Sequence, residues 1–179
     1  MFYQEIASPF GQLALLWAQD EERVRITHIL IPSPKRSVAE GLRAYAGAVV
    51  GRQPQVDELC ARLARYLEGE VVELPLDLLD RAACTPFQWQ VLMAEKAIPR
   101  GEVRTYAQVA AAAGCPRGAR AAGNALARNP FPIVIPCHRA VRSDGSLGGY
   151  YGGLAMKRAL LEMEGVTLDA RGRAALRGG

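Results

Sequence analysis

The feature that most constrains this chain is the run Phe131-Pro132-Ile133-Val134-Ile135-Pro136-Cys137-His138-Arg139. An apolar, β-branched stretch meets a proline, and a thiol, an imidazole and a guanidinium follow in immediate succession. Proline removes a backbone donor and fixes one dihedral, so the strand-like run is expected to stop there. Cys137 then sits at a strand end, where a side chain can face a cleft. A thiol is a nucleophile only as thiolate, which nearby cations favour. His138 and Arg139 are adjacent, but neighbours on an extended chain point to opposite faces, so His138 is expected to act on the sulfur through a relay. A buried structural cysteine is the plainer reading of a lone thiol. Context has to overturn it.

The chain of 179 residues holds one large domain or two small ones. Half of it is apolar and 22% is charged, which fits a folded, soluble protein rather than a disordered one. No apolar stretch is long enough to span a bilayer, and the N-terminus lacks a charged-then-apolar signal pattern. Cys60, Cys84, Cys115 and Cys137 show no Cys-x-x-Cys spacing, and His28 and His138 are the only imidazoles. Neither a zinc site nor a disulfide framework is indicated. A reducing, cytoplasmic setting is expected, with no membrane association. Charge is unevenly spread: residues 1–99 carry 10 Lys/Arg against 13 Asp/Glu, and residues 100–179 carry 12 against 5. A basic half beside a mildly acidic one points to a polyanion partner, though charge alone equally describes a solvated face.

Taken in order, Phe2 to Ile6, Leu13 to Ala18 and Val24 to Ile31 read as an antiparallel meander, with turns at Ser8 to Gly11 and Asp20 to Glu22. Ser37 to Val50 reads as one helix, and a second presents Val56, Leu59, Leu63, Tyr66 and Leu67 at helical spacing. This part shows core and no chemistry, and closes as a scaffold domain over residues 1–82. Thr85-Pro86 has the grammar of a helix start, giving a helix from Phe87 to Ala97. Thr105 caps a short helix from Tyr106 to Ala113, and after Gly114-Cys115-Pro116 another runs from about Arg117 to Ala127. That outline is a helix-turn-helix. Its second helix is made of Gly118, Ala119, Ala121, Ala122, Gly123, Ala125 and Ala127, with Arg120 alone projecting from the middle. Such a surface cannot read base edges in a major groove. It suits close approach to a partner helix, with Arg120 simply facing solvent, or to a nucleic-acid backbone in a narrow groove, where Arg120 can enter the base stack. Leu147 to Gly153 is a Gly/Tyr-rich loop, Leu154 to Glu164 a helix, and residues 169–179 a flexible tail.

Several stretches together resemble the O6-alkylguanine-DNA alkyltransferases, also called methylated-DNA–protein-cysteine methyltransferases. They are Asn129 to Arg139, Gly148-Gly149-Tyr150-Tyr151-Gly152-Gly153, Gly101-Glu102-Val103-Arg104-Thr105-Tyr106 and Arg120-Ala121-Ala122-Gly123-Asn124. The resemblance runs from about Thr85 to Gly165. It implies an α+β protein: a small antiparallel sheet with helices, ribonuclease-H-like, over residues 1–82, then a mostly helical, helix-turn-helix domain over 83–168 that carries the active-site turn.

It also implies the chemistry. Cys137 takes the alkyl group from O6 of a guanine flipped out of duplex DNA, and O4 of thymine as a further substrate. His138 deprotonates the thiol through a bridging water, Glu164 orients the imidazole, and Tyr106 assists at guanine N3. Arg120 fills the vacated stack from the minor groove, with Arg117, Ala119, Gly123 and Tyr106 on the same DNA-facing surface. Leu126, Asn129, Pro132, Ala140, Tyr150 and Tyr151 surround the base. The thioether is permanent, so each monomer acts once and needs no cofactor or metal. Ala140 stands where valine is usual, and Tyr151 replaces a commonly smaller residue. Three other readings compete: a non-catalytic lesion binder, against which Cys137 itself argues; a cysteine hydrolase; and a sequence-specific regulator, for which the second helix lacks readout.

Overall fold

In the computed structural model, residues 1–21 and 23–176 are described. Glu22, in the expected polar turn, and residues 177–179, the end of the expected tail, lie outside them. The chain divides into two compact units, residues 1–83 with 130–134, and residues 84–129 with 135–179.

The first unit is a four-stranded sheet with helices. β1 (Phe2–Ile6), β2 (Leu13–Asp20) and β3 (Arg23–Leu30) form the expected antiparallel meander. In β2, Leu13 through Trp17 are all buried, which is what a central strand covered on both faces requires. The expected helix over 37–50 is only partly present. α1 spans Val38–Leu42, opened by a capping box between Ser37 and Glu40. The chain then turns through Gly47, at φ 87, and Val49–Val50 form β4, parallel to β1. The apolar spacing that looked helical is thus shared between a one-turn helix and an edge strand. The β-branched Val49–Val50 pair lies opposite Phe2 and Tyr3, a place where such residues fit well. α2 (Pro54–Leu67) buries Val56, Leu59, Cys60, Leu63, Tyr66 and Leu67 on one face, as its spacing predicted.

A second correction concerns the run before the thiol. Phe131 to Ile135 is a turn rather than a strand, although every residue of it is buried. Pro130, Pro132 and Pro136 remove three ladder donors, and Ile133 sits at φ 74, a conformation that is strained for a β-branched residue. Instead of a ladder, the Pro130 carbonyl accepts a single bond from the Ile29 amide at 2.7 Å.

The second unit begins with α3 (Pro86–Lys96), capped by Thr85 as expected. β5 (Arg104–Thr105) follows, then α4 (Tyr106–Ala112), α5 (Ala119–Ala127), β6 (Ala140–Val141) and α6 (Gly153–Met163). Thr105 and Gln108 close a capping box at the start of α4, and this fixes Tyr106 as the first residue of that helix. α3, α4 and α5 pack on one another, and Gln88 Nε2 donates to the last carbonyls of α5, Ala125 at 3.3 Å and Arg128 at 2.8 Å. β5 and β6 pair in parallel beside a core of Val103, Val141, Leu147, Leu161, Val166 and Ala174. Part of the expected tail therefore folds back: Asp169 and Arg173 bond through their backbones at 2.9 Å, Leu168 bridges Ala174, and Ala174 enters this core. Taken together, the described residues make a mixed α+β protein with a small sheet and six α-helices.

Candidate active site

The site lies in the second unit and starts from a change of backbone. Cys137–Arg139 form a single 3₁₀ turn, not the extended end that would separate neighbouring side chains. His138 and Arg139 therefore converge on one carboxylate instead of facing apart. Glu164 follows directly on α6 and is buried; its Oε1 lies 2.7 Å from His138 Nε2. Arg139 takes the same carboxylate in a fork, Nε to Oε2 at 2.8 Å and Nη2 to Oε1 at 3.0 Å, while its Nη1 donates to the Ile98 carbonyl at 2.5 Å. A planar guanidinium suits this bidentate grip. The hydrogen bond brings together His138 and Glu164, two residues that the family resemblance paired, and Arg139 joins them.

Electrostatics then fix the resting state. Burial raises the cost of charge on Glu164, but its bonds to His138 and Arg139 outweigh that and hold the carboxyl well below the usual range. For His138, burial dominates and lowers its pKa, against the opposing pull of Glu164. The two tendencies compete for one proton. Arg139 already supplies the counter-charge to Glu164, so the state that satisfies both is an ionised Glu164 with a neutral His138. Its Nε2–H then donates to Oε1, and Nδ1 keeps its lone pair. That nitrogen is buried and has no hydrogen-bond partner among the described residues. It is a free base position.

Cys137 is part-buried, yet its thiol is enclosed enough that burial pushes it up to about 11, against a hydrogen bond from the Asn129 side chain. Asn129 Nδ2 also donates to the Ile135 carbonyl at 2.9 Å, holding together the two ends of the segment that leaves this unit and returns just before the thiol. At rest the sulfur is a thiol and needs a base. Tyr106 is half-buried, and burial raises its phenol, with Glu95 and Cys137 adding to the shift. Gly148 must be glycine: it sits at φ 68, and a Cβ there would stand 2.9 Å from the Tyr106 hydroxyl oxygen. The Tyr150 ring meets His138 edge-on at 6.3 Å. Leu126 and Ala140 are buried in this unit, while Tyr151 is exposed. Pro132 is buried in the segment that belongs to the first unit.

Along α4 and α5, Arg117 and Arg120 are exposed and Ala119 is half-buried. The two glycines have different explanations. At Gly118, a Cβ would meet the Cys115 sulfur at 2.4 Å, so the turn itself excludes a side chain; at Gly123 the nearest contact is an ordinary 3.7 Å to the Tyr106 ring. Packing within the protein does not demand Gly123.

Sequence reading missed two residues. Lys157 is fully buried, and its Nζ donates to the Ala140 carbonyl at 2.6 Å and to the Leu147 carbonyl. Glu95 is fully buried on α3. Each was read only as part of a helix. The available signal was position: Lys157 is three and four residues from Leu160 and Leu161, and Glu95 the same from Leu92 and Val91, so each falls on its helix's apolar face.

Such a site can use a thiol as nucleophile, with a buried imidazole as its base. Residues 86–166 match the model of the 6-O-methylguanine DNA methyltransferase DNA binding domain. The methylated-DNA–protein-cysteine methyltransferase of Methanothermobacter thermautotrophicus is 40% identical over 91% of this chain and 85% of its own length. That of Mycolicibacterium paratuberculosis is 36% identical over 90% and 91%. Among solved structures, Mycobacterium tuberculosis OGT in complex with DNA superposes with a TM-score of 0.72 at 34% identity, covering 92% of this chain and 93% of that one. The chain belongs to the methylated-DNA–protein-cysteine methyltransferase family.

The Glu164 cluster makes stability depend on pH. A carboxyl held low in the folded state, against about 4.3 when unfolded, adds stability that is fully present above the unfolded value and lost as pH falls through the folded one. Resistance to urea should fall progressively from about pH 5 to about pH 2. Glu164→Gln, which leaves Arg139 buried without its counter-charge, should be less stable by about 3–5 kcal/mol at neutral pH and should lose that part of the acid slope.

Proposed function

We propose that this protein repairs alkylated DNA by transferring the alkyl group from O6 of guanine to Cys137. The observation that carries this reading is the thiol followed by a buried imidazole whose Nδ1 is left without a partner while Glu164 and Arg139 hold its other side. His138 takes the thiol proton through a bridging water. The sulfur lone pair then forms the S–C bond as the C–O6 bond breaks, and the electron pair leaves into the base, which takes up a proton in turn. Tyr106 eases that departure by hydrogen bonding at N3. The thioether has no route back, so each molecule turns over once, without cofactor or metal. O4-alkylthymine fits the same chemistry.

Access requires the base to leave the helix. In this reading α4 and α5 are a helix-turn-helix that enters the minor groove. Arg117, Ala119 and Gly123 face the DNA, and Arg120 stands in the space left by the flipped nucleotide. Support comes from the exposure of Arg120 and from a Gly123 that the protein's own packing does not require. Leu126, Asn129, Pro132, Ala140, Tyr150 and Tyr151 would surround the base. Residues 1–82 would be a ribonuclease-H-like scaffold, and residues 83–168 the alkyltransferase domain of a cytoplasmic monomer.

Incubation with a duplex containing O6-methylguanine should add one methyl mass to the Cys137 peptide, and Cys137→Ala should bind the duplex without transfer. An unmodified Cys137 in a folded sample after exhaustive incubation overturns the proposal. Arg120→Ala should slow transfer from duplex DNA by about tenfold or more while leaving transfer from a short single strand nearly unchanged, since only the duplex has a stack to refill. Equal losses on both substrates would remove that role.

A further inference from the structure

Glu95 is a fully buried carboxyl that the chemistry above does not use, and neither of its oxygens completes a hydrogen bond among the described residues. An uncompensated buried carboxylate is expensive, and a solvated or paired one would be the ordinary arrangement. What surrounds it is informative. α3 packs on the Cys137–Arg139 turn, and the carboxyl feels Lys157 from α6, Arg139 from the turn and the Ala140 amide. In return it acts on the Cys137 thiol and on the Tyr106 phenol of α4. Arg139 is already committed to Glu164 in a bidentate pair. The cation left to answer Glu95 is Lys157, which is itself fully buried, bonded among the described residues only to the neutral Ala140 and Leu147 carbonyls, and 5.8 Å from the centre of the Tyr106 ring. The charge on Lys157 favours the Cys137 thiolate and disfavours charge on His138, and Arg142 in turn disfavours charge on Lys157.

We propose that Glu95 and Cys137 compete for the single buried charge of Lys157, so that the thiolate forms readily only while Glu95 carries a proton. Set aside the Arg139–Glu164 pair and the Tyr106 phenol, which burial keeps protonated, and the buried groups here are one cation, Lys157, and two acids, Glu95 and Cys137. With either one ionised the set is neutral; with both ionised it carries an uncompensated negative charge in a low-dielectric interior, which Coulomb's law penalises heavily. Glu95 touches no reacting atom. It acts through the charge on its neighbours. Burial pushes its carboxyl up to about 8 and Lys157 down to about 8, so near neutrality the acid is largely protonated and the ammonium is available to the sulfur. As pH rises through that range Glu95 ionises ahead of the thiol and, as an anion, holds the proton on Lys157 for itself, so the thiol is driven to still higher pH. Two interacting sites of this kind titrate as a pair rather than singly.

The inference rests on Cys137 being the working thiol, but its test needs no DNA. Iodoacetamide labelling of Cys137 is followed across pH by mass spectrometry of the peptide that carries it, which separates it from Cys60, Cys84 and Cys115. Wild type and Glu95→Gln should coincide below about pH 7 and diverge above about pH 8, the variant labelling roughly tenfold faster near pH 9 and its midpoint lying about one unit lower. Glu95→Leu, which replaces the unpartnered carboxyl by an apolar group of similar size, should fold at least as well and shift the midpoint in the same direction. Lys157→Gln should shift it upward. Superimposable profiles for wild type and either folded Glu95 variant, or an upward shift on removing Glu95, would overturn the proposal. Methyl transfer from DNA, measured on the wild type alone, reports separately on the function of Cys137.

Discussion

One buried carboxylate organises the reactive end of this molecule. Glu164 holds a guanidinium through two bonds and an imidazole through a third, and each of the three groups would be costly to bury without the others. A carboxylate just past the C-terminal end of a helix meets the negative end of the backbone dipole, so the pair with Arg139 is what makes Glu164 tenable at the end of α6. With that charge answered by arginine, the imidazole is free to remain neutral and to present its other nitrogen as a base. The 3₁₀ turn at Cys137–Arg139 is the backbone counterpart of this arrangement, because only a turn brings two successive side chains to one acceptor.

Around the thiol, the surrounding residues act on whether it ionises rather than on whether it is present. Asn129 donates to the sulfur, Lys157 offers a buried cation, and Glu95 opposes both. Gly148 gives the Tyr106 hydroxyl its place by having no side chain. Burial keeps the sulfur a thiol at rest.

Much of this was legible from the residues. The meander, α2, the Thr85 and Thr105 caps and the limits of α4 and α6 follow from periodicity and capping chemistry, which are local. The residues that failed to obey local rules did so for tertiary reasons. Val49 and Val50 continue a helical spacing, but the free edge of β1 claimed them as a strand. Ile133 to Ile135 have strand composition, yet flanking prolines leave no ladder to join. Leu168 to Ala174 look like a basic, glycine-rich end, and only the proximity of Gly145 and Ser146 reveals a docking place. At the site, the partnership of His138 with Glu164 came from family resemblance, since 26 residues separate them and no spacing rule spans that. The burial of Lys157 and Glu95 was hidden because charged residues on helices are presumed to face water.

The account stands on the protonation of His138. Nitrogen-15 NMR of the imidazole in the folded, unreacted protein at neutral pH reads it directly. A neutral ring protonated at Nε2, with Nδ1 bare, is the predicted state. A doubly protonated ring, or a proton resident on Nδ1, would mean that Glu164 and Arg139 do not set the base as described.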